Sequence, residues 1–302
     1  MVIGVKTPAS SANLGPGFDV LALALTLYDT VTLSSAESST LTVAGEGAGK
    51  LDRAPEKNLA LRSVRTFYER IGAGAPPLHV HMENSIPLSR GLGSSAAAIV
   101  GALVAANAYS GANLSRDDLF VLAVEMESHA DNVAAALYGG LVIAYRQDEG
   151  FKVRQARPAA NVGAALLVPE SGLATAEARA VLPGEVPREE AVFNIGRSSL
   201  LVEALITGDL SVLRPAVEDA LHQPWRRGLI PDYNITEYAC YQAGARGVAL
   251  SGAGPTLIAF YDKNDESVFK PALDRELAAA AVKRRVLFLD VDTAGAQVVS
   301  RN

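Results

Sequence analysis

A glycine loop that opens straight into an apolar helix is the most chemically suggestive part of this sequence: Ile86-Pro87-Leu88-Ser89-Arg90-Gly91-Leu92-Gly93-Ser94-Ser95-Ala96-Ala97-Ala98. Gly91 and Gly93 let the backbone approach a ligand closely, and the free N–H groups and positive end of the following helix favour an anion. Ser94 and Ser95 add hydroxyls, and a serine at such a junction can ligate Mg2+, which binds through few protein oxygens and keeps phosphate and water as other ligands. Phosphate binding is the chemistry that fits, although a serine-capped glycine turn also opens helices that bind nothing. The pattern is neither Walker A, lacking Gly-Lys-Ser/Thr, nor the Rossmann fingerprint, lacking the third glycine.

Two further segments carry polar groups in turns. Pro8-Ala9-Ser10-Ser11-Ala12-Asn13-Leu14-Gly15-Pro16-Gly17-Phe18-Asp19 follows the first strand, where loops often hold sites. Asn13 and Asp19 can orient a polar substrate there, or hydrogen-bond their own backbone. Ser251-Gly252-Ala253-Gly254-Pro255-Thr256 lies between two apolar runs, and a hairpin turn explains it by itself.

The elements that must position these residues are legible in part. Val2 to Lys6, the alternating Leu21, Leu23, Leu25, Leu27 run, and Leu78, Val80, Met82 read as strands. Ser94 to Tyr109 is apolar on nearly every side, as in a helix buried in the core. Ser115-Arg116-Asp117-Asp118 has the pattern of a helix start, with the helix running to about Ser128, and Gly139-Gly140 leads into a strand over Leu141 to Tyr145. Around 148 to 160 the chain turns polar and contains proline, and the expected boundary between two domains, 1–155 and 156–302, falls there. Beyond it come a strand over Val162 to Val168, helices near 175–182, 189–206, 209–221 and 234–243, and strands over Gly247 to Leu250 and Leu257 to Tyr261. That order predicts an α+β fold.

Composition narrows the function class. The 302 residues are 49% hydrophobic and 20% charged, which suits a globular chain able to bury a large core, and the net charge of −6 argues against nucleic acid as partner. No run of about 18 apolar residues goes uninterrupted, and Met1-Val2-Ile3-Gly4-Val5-Lys6 has no signal or transit character, so a cytoplasmic protein away from membranes is expected. One cysteine, Cys240, excludes an internal disulfide and reads as a small buried hydrophobe.

Taken together, the three glycine-bearing segments resemble the three motifs of the GHMP kinases, a resemblance that spans residues 5 to 260, and the first is closest to its form in the homoserine kinases. Glu127-Ser128-His129-Ala130-Asp131-Asn132-Val133, Thr175 to Pro183, and His222-Gln223-Pro224-Trp225-Arg226 match in the same order. The resemblance implies a two-domain GHMP kinase fold, its N-terminal domain like the second domain of ribosomal protein S5 and its C-terminal domain ferredoxin-like. It implies transfer of the γ-phosphoryl group of ATP to L-homoserine with Mg2+, a step in threonine biosynthesis, and a homodimer is the expected assembly. Pro87, Leu88, Ser89, Arg90, Gly91, Leu92, Gly93, Ser94, Ser95, Ala96 and Ala97 would hold the triphosphate, and Asn58 would reach the adenine. Ser95 and a helix carboxylate, Glu127 with Glu125 as rival, would place the metal.

For the amino acid, the same resemblance gives Arg179 and Arg226 to the carboxylate, for which a planar guanidinium fork is suited. Asp19 would pair with the ammonium, while Asn13, His129, Asn132 and Gly252 complete the lining and position the alcohol. His129 reads as a positioning group, with a structural histidine as the other reading. Sister families place a base aspartate where Asn132 stands, and an amide cannot accept that proton. Catalysis by alignment and charge stabilisation is therefore expected, with Asn132, Ser95 and Glu127 as the catalytic set, because a loose phosphoryl transition state asks little of a base. Ala135 occupies a position where the family often has proline. The competing expectations are a sister kinase acting on an alcohol such as mevalonate or shikimate, whose lack of an amine would leave Asp19 without a role, and a nucleotide-binding protein without turnover.

Overall fold

A computed structural model describes residues 1–52, 54, 56–148 and 150–301. Glu149, inside the stretch read as a boundary, and Asn302, the last residue of the second expected domain, lie outside them. The first half contains β1 (Val2–Ala12), β2 (Leu21–Ser35), β3 (Thr40–Gly45), α1 (Leu59–Arg70), β4 (Leu78–Asn84), α2 (Ser94–Ser110), α3 (Arg116–Glu127), α4 (Ala130–Tyr138), β5 (Leu141–Gln147) and β6 (Gly150–Ala156). There follow β7 (Val162–Pro169), α5 (Thr175–Ala180), α6 (Arg188–Thr207), α7 (Leu213–Ala216), α8 (Gln223–Arg226), α9 (Tyr233–Ala243), β8 (Gly247–Leu250), β9 (Leu257–Asp262), α10 (Glu266–Ala279), β10 (Arg284–Leu289) and β11 (Gln297–Arg301).

The first sheet runs β11-β1-β2-β4-β3, with the hairpin β5-β6 joined to the other end of β2. Only the β3–β4 pairing is parallel among the described pairings of this sheet. The second sheet runs β10-β7-β9-β8, antiparallel throughout, in the chain order strand-helix-strand-strand-helix-strand of a ferredoxin-like unit. The α+β expectation holds.

The alternating leucines of β2 suggest one buried face, yet Leu21 to Leu25 are all buried. Leu21, Leu23 and Leu25 point into a cluster with α6, α7 and the face of the second sheet that carries Leu166, Ile258 and Phe260. On the opposite face Ala22 and Ala24 meet α2 and α4, helices packed so closely that only a methyl fits. A third cluster fills the space under α9 and α10 and contains Cys240, whose thiol burial pushes up to about 12.

Other readings of the sequence differ from the fold. Pro8 to Ala12, read as turn-rich chain after the first strand, continue β1 in pairing with β2, and only the residues after Ala12 form the turn. The polar stretch after residue 148 holds a strand, β6, paired to β5 along its length. Its apolar positions are Phe151, Val153 and Ala156, on a sheet edge open to solvent. The helix expected over 209–221 is broken into a 3-10 turn at Leu210–Val212 and the single turn α7, where Pro215 cannot supply an N–H to a longer ladder.

Candidate active site

Helix α2 begins at Gly93, whose φ of 70° is left-handed, and no side chain caps it. A Cβ on Gly93 would stand 2.0 Å from Ser10 Oγ, and one on Gly91 would stand 2.1 Å from the Ser251 carbonyl oxygen, so both positions need glycine for close approach as well as conformation. Ser10 N–H donates to the Leu92 carbonyl (3.1 Å) and Ser251 Oγ to the Gly91 carbonyl (2.7 Å). Burial also anchors the loop from below. Asp29 Oδ1 accepts from Ser85 and Ile86 N–H, and desolvation lifts the Asp29 pKa to about 6.

The loop lines a cleft of about 510 Å³ that runs from Lys50, Leu51 and Asn58 at one end to Asp19, Arg179 and Arg226 at the other. Pro87 to Ser95 all border it, whereas Ala96 and Ala97 are buried and Ala97 N–H is spent on the Gly93 carbonyl. Arg90 borders the cleft, but its guanidinium donates to the Leu88 carbonyl (2.6 Å), the Pro169 carbonyl (3.4 Å) and the Glu170 carbonyl, bracing the loop against the end of β7. Asn58 is the N-cap of α1: its side-chain oxygen accepts from Ala60 and Leu61 N–H and its amide donates to the Asp52 carbonyl (3.1 Å). Leu51, Leu59 and Met82 supply an apolar wall beside it that the sequence did not single out.

Helix α3 ends at Ser128, left-handed at φ 67°, and α4 starts two residues later, so the end of one helix and the start of the next face the cleft together. Ser95 Oγ donates to Glu127 Oε1 at 2.6 Å. Glu125 is elsewhere, exposed and paired with Arg70 at 2.5 Å, and does not border the cleft. Hard oxygen donors meeting at a helix N-terminus suit Mg2+ with phosphate completing its shell. His129 Nδ1 lies 3.7 Å from Glu127 Oε1, and that carboxylate holds the His129 pKa above its ordinary value. Arg179 Nε donates to His129 Nε2 at 3.2 Å.

At the far end Arg179 Nη2 donates to both oxygens of Asp19, at 2.8 and 3.0 Å. Asn13 follows the backbone-bonding one of its two readings: its carbonyl accepts from Asp19 N–H (2.9 Å), closing its own loop, and its amide donates to the Gly252 carbonyl (2.7 Å). Arg226 is 2% exposed, donating from Nε to the Ala178 carbonyl (3.0 Å) and from Nη1 to the Gly252 carbonyl (3.3 Å). Burial, then the neighbouring Arg179, bring its pKa down to about 10. Asn132 accepts from Ser10 Oγ at 2.9 Å and donates from Nδ2 to Asp131 Oδ1 at 3.2 Å, so one of its two amide hydrogens is taken. Ala135 sits inside α4, fully buried, with its carbonyl accepting from Gly139 N–H, so the helix forms without proline.

The sequence assigns no role to Asp131. It is 2% exposed and borders the cleft, and burial lifts its pKa to about 6, with Asp19 adding to the rise. An acidic residue in the first turn of a helix reads as a partner of the helix dipole, which conceals it. The cleft thus presents phosphate-sized backbone at one end, two oxygen donors in the middle, and two carboxylates facing two guanidinia at the other.

Residues 58–140 match the model of the GHMP kinases N-terminal domain and residues 201–282 that of the GHMP kinases C-terminal domain. The chain is 42% identical over 295 residues to a homoserine kinase of Moorella thermoacetica, covering 98% of this chain and 99% of that one. It is 39% identical to one from Desulfitobacterium hafniense, covering 99% and 100%. A crystal structure of homoserine kinase from Cytophaga hutchinsonii superposes with a TM-score of 0.88 at 30% identity, over 99% and 97% of the two chains. A phosphomevalonate kinase of Streptococcus pneumoniae shares the fold, with a TM-score of 0.73 at 18% identity. This chain belongs to the GHMP kinases, and within them to the homoserine kinases.

Proposed function

We propose that this kinase holds ATP and L-homoserine end to end in the one cleft, with the residue roles that follow. The observation that carries the reading is the opposed charge at the far end: Asp19 and Asp131 beside Arg179 and Arg226 match the ammonium and carboxylate of an amino acid. The backbone of Gly91 to Ser95 receives the phosphates, with the apolar wall of Leu51, Leu59 and Met82 against the base. Ser95 and Glu127 hold Mg2+, which when bound offsets phosphate charge and draws electron density from the transferred group.

Asn132 uses its free amide hydrogen to fix the alcohol oxygen of homoserine in line with the γ-phosphorus. The oxygen–phosphorus bond forms as the bond to the β-phosphate oxygen breaks, ADP leaves, and the alcohol proton passes to an oxygen of the transferred group. Placement and charge stabilisation supply the rate, which a loose transition state permits. The division near residue 155 separates the two sheets apart from β11, which returns to the first. Among the described residues no helix is long and apolar enough to cross a membrane, and we extend the reading to a cytoplasmic homodimer, which sedimentation would test.

A coupled ADP-release assay with Mg-ATP and L-homoserine, mevalonate, shikimate and galactose tests this, with Arg226→Ala alongside. Release with homoserine alone, lost in the variant, is the expected result. Release with another alcohol overturns the substrate, and none with any overturns the kinase.

A further inference from the structure

We propose that His222, which does not border the cleft, is a positioning residue for the amino-acid substrate: as a neutral imidazole it aims Arg226 and ties it to the loop that carries Asp19. The inference rests on the reading of Arg226 as the ligand of the substrate carboxylate.

His222 is fully buried beneath the substrate end of the cleft. Its Nε2 lies 2.8 Å from the Gly15 carbonyl oxygen, which can only accept, so Nε2 carries hydrogen. Its Nδ1 lies 3.2 Å from Arg226 Nη1, which can only donate, so Nδ1 presents a lone pair. The two contacts together admit a single state, the neutral Nε2–H tautomer. A second proton would set cation against cation and leave Arg226 Nη1 with only the longer bond to Gly252.

The groups that face the ring agree. Asp219 Oδ2 stands 3.5 Å from Nε2 and favours the charged ring, but that carboxylate is occupied by N–H groups of Leu221, His222 and Gln223. The Gly15 carbonyl and Asp19 act in the same direction and Arg226 in the other, and burial, the largest influence, holds the ring pKa well below its ordinary value. One face of the imidazole stacks on Phe18 at 5.2 Å, and the same phenyl ring lies under the Arg226 and Arg179 guanidinia at 5.3 and 5.7 Å.

The geometric result is a guanidinium pinned on two edges. Nε is held by Ala178 and Nη1 by His222 and Gly252, and among the described residues no group accepts from Nη2 of Arg226. Through Gly15 and Phe18 the same imidazole reaches the loop that ends in Asp19, so the groups for the two ends of the amino acid share one support.

Steady-state kinetics of His222→Leu and His222→Asn, beside Arg226→Ala, test the role, because the Asn oxygen can replace the Nδ1 acceptor. Loss of a hydrogen bond to a charged group predicts a KM for homoserine raised about 10-fold in the Leu variant, an unchanged KM for ATP, and substantial recovery in the Asn variant. Nitrogen-15 spectra of the wild-type histidines, which do not depend on a variant folding, should show one ring with Nε2 protonated and Nδ1 bare from about pH 8 to about pH 6. A homoserine KM that rises in Arg226→Ala but not in His222→Leu overturns the inference alone. If neither variant raises it, the carboxylate reading falls as well. A buried ring carrying its hydrogen on Nδ1, or on both nitrogens, also overturns it.

Discussion

Replacing Asp131 by Asn should stabilise this protein, by an amount that depends on pH. Burial raises the Asp131 pKa to about 6, roughly two above an ordinary aspartate, or about 3 kcal/mol at about 1.4 kcal/mol for each tenfold in proton affinity. The sign follows from proton counts. Between those values the folded chain binds more protons at this site than the unfolded chain, so stability is fully present below about 3.8 and is lost as pH rises through about 6. Asparagine keeps an oxygen for the Asn132 N–H, bonded at 2.7 Å in the wild type, and never ionises. The gain over wild type should be about 1 kcal/mol at about pH 4.5 and about 3 kcal/mol at about pH 7.5, as the two titrations integrate. Denaturant unfolding of both proteins at the two pH values measures it. Equal gaps at both, or a less stable variant at the higher pH, would refute the argument that this carboxylate is held ionised against its surroundings. Homoserine binding should weaken in the same variant, because the substrate ammonium is what offsets that buried charge.

Arg226→Ala should lower kcat/KM for homoserine about 10- to 100-fold, the range for lost hydrogen bonds to a charged group, while ATP binding measured by calorimetry stays unchanged. Glu127→Gln should raise the Mg2+ concentration needed for half-maximal rate, and Glu125→Gln should leave it alone, since Glu125 pairs with Arg70 at the surface. Gly93→Ala should lower the melting temperature and weaken ATP binding, because its Cβ meets Ser10 Oγ at 2.0 Å. Asn132→Asp tests the absence of a base: turnover should not rise, and a steep rise with a carboxylate-like pH profile would put a base into the mechanism.

Legibility in the sequence followed how local each feature is. The glycine loop, the buried helix after it and the capping box of Ser115 and Asp118 are written in neighbouring residues, and the chain adopts them. Placement of Arg179, Arg226, Asp19 and His129 around one cleft came only through family resemblance, since each alone reads as an ordinary polar residue. Structure was needed for burial. The carboxylate of Asp131 and the ring of His222 look unremarkable in the sequence, and their chemistry arises from helices and loops distant along the chain. β6 is not legible in the sequence because an exposed edge strand carries little apolar periodicity, and Pro215 breaks a helix that apolar spacing alone suggests.

The stitches that close the cleft have a consequence for biosynthesis. Asn13 is bonded to Gly252 and Gly91 to Ser251, pairs separated by 239 and 160 positions along the chain. Loops that long are closed late, after local helices and hairpins have formed. A ribosome must therefore release residues 251 and 252 before the amino-acid end can take shape, and a nascent chain lacking the β8–β9 turn would leave the phosphate loop without its Ser251 partner and with no pocket opposite it. Copies synthesised short of that turn are thus inert toward homoserine, and competence arrives only once Ser251 and Gly252 have been added.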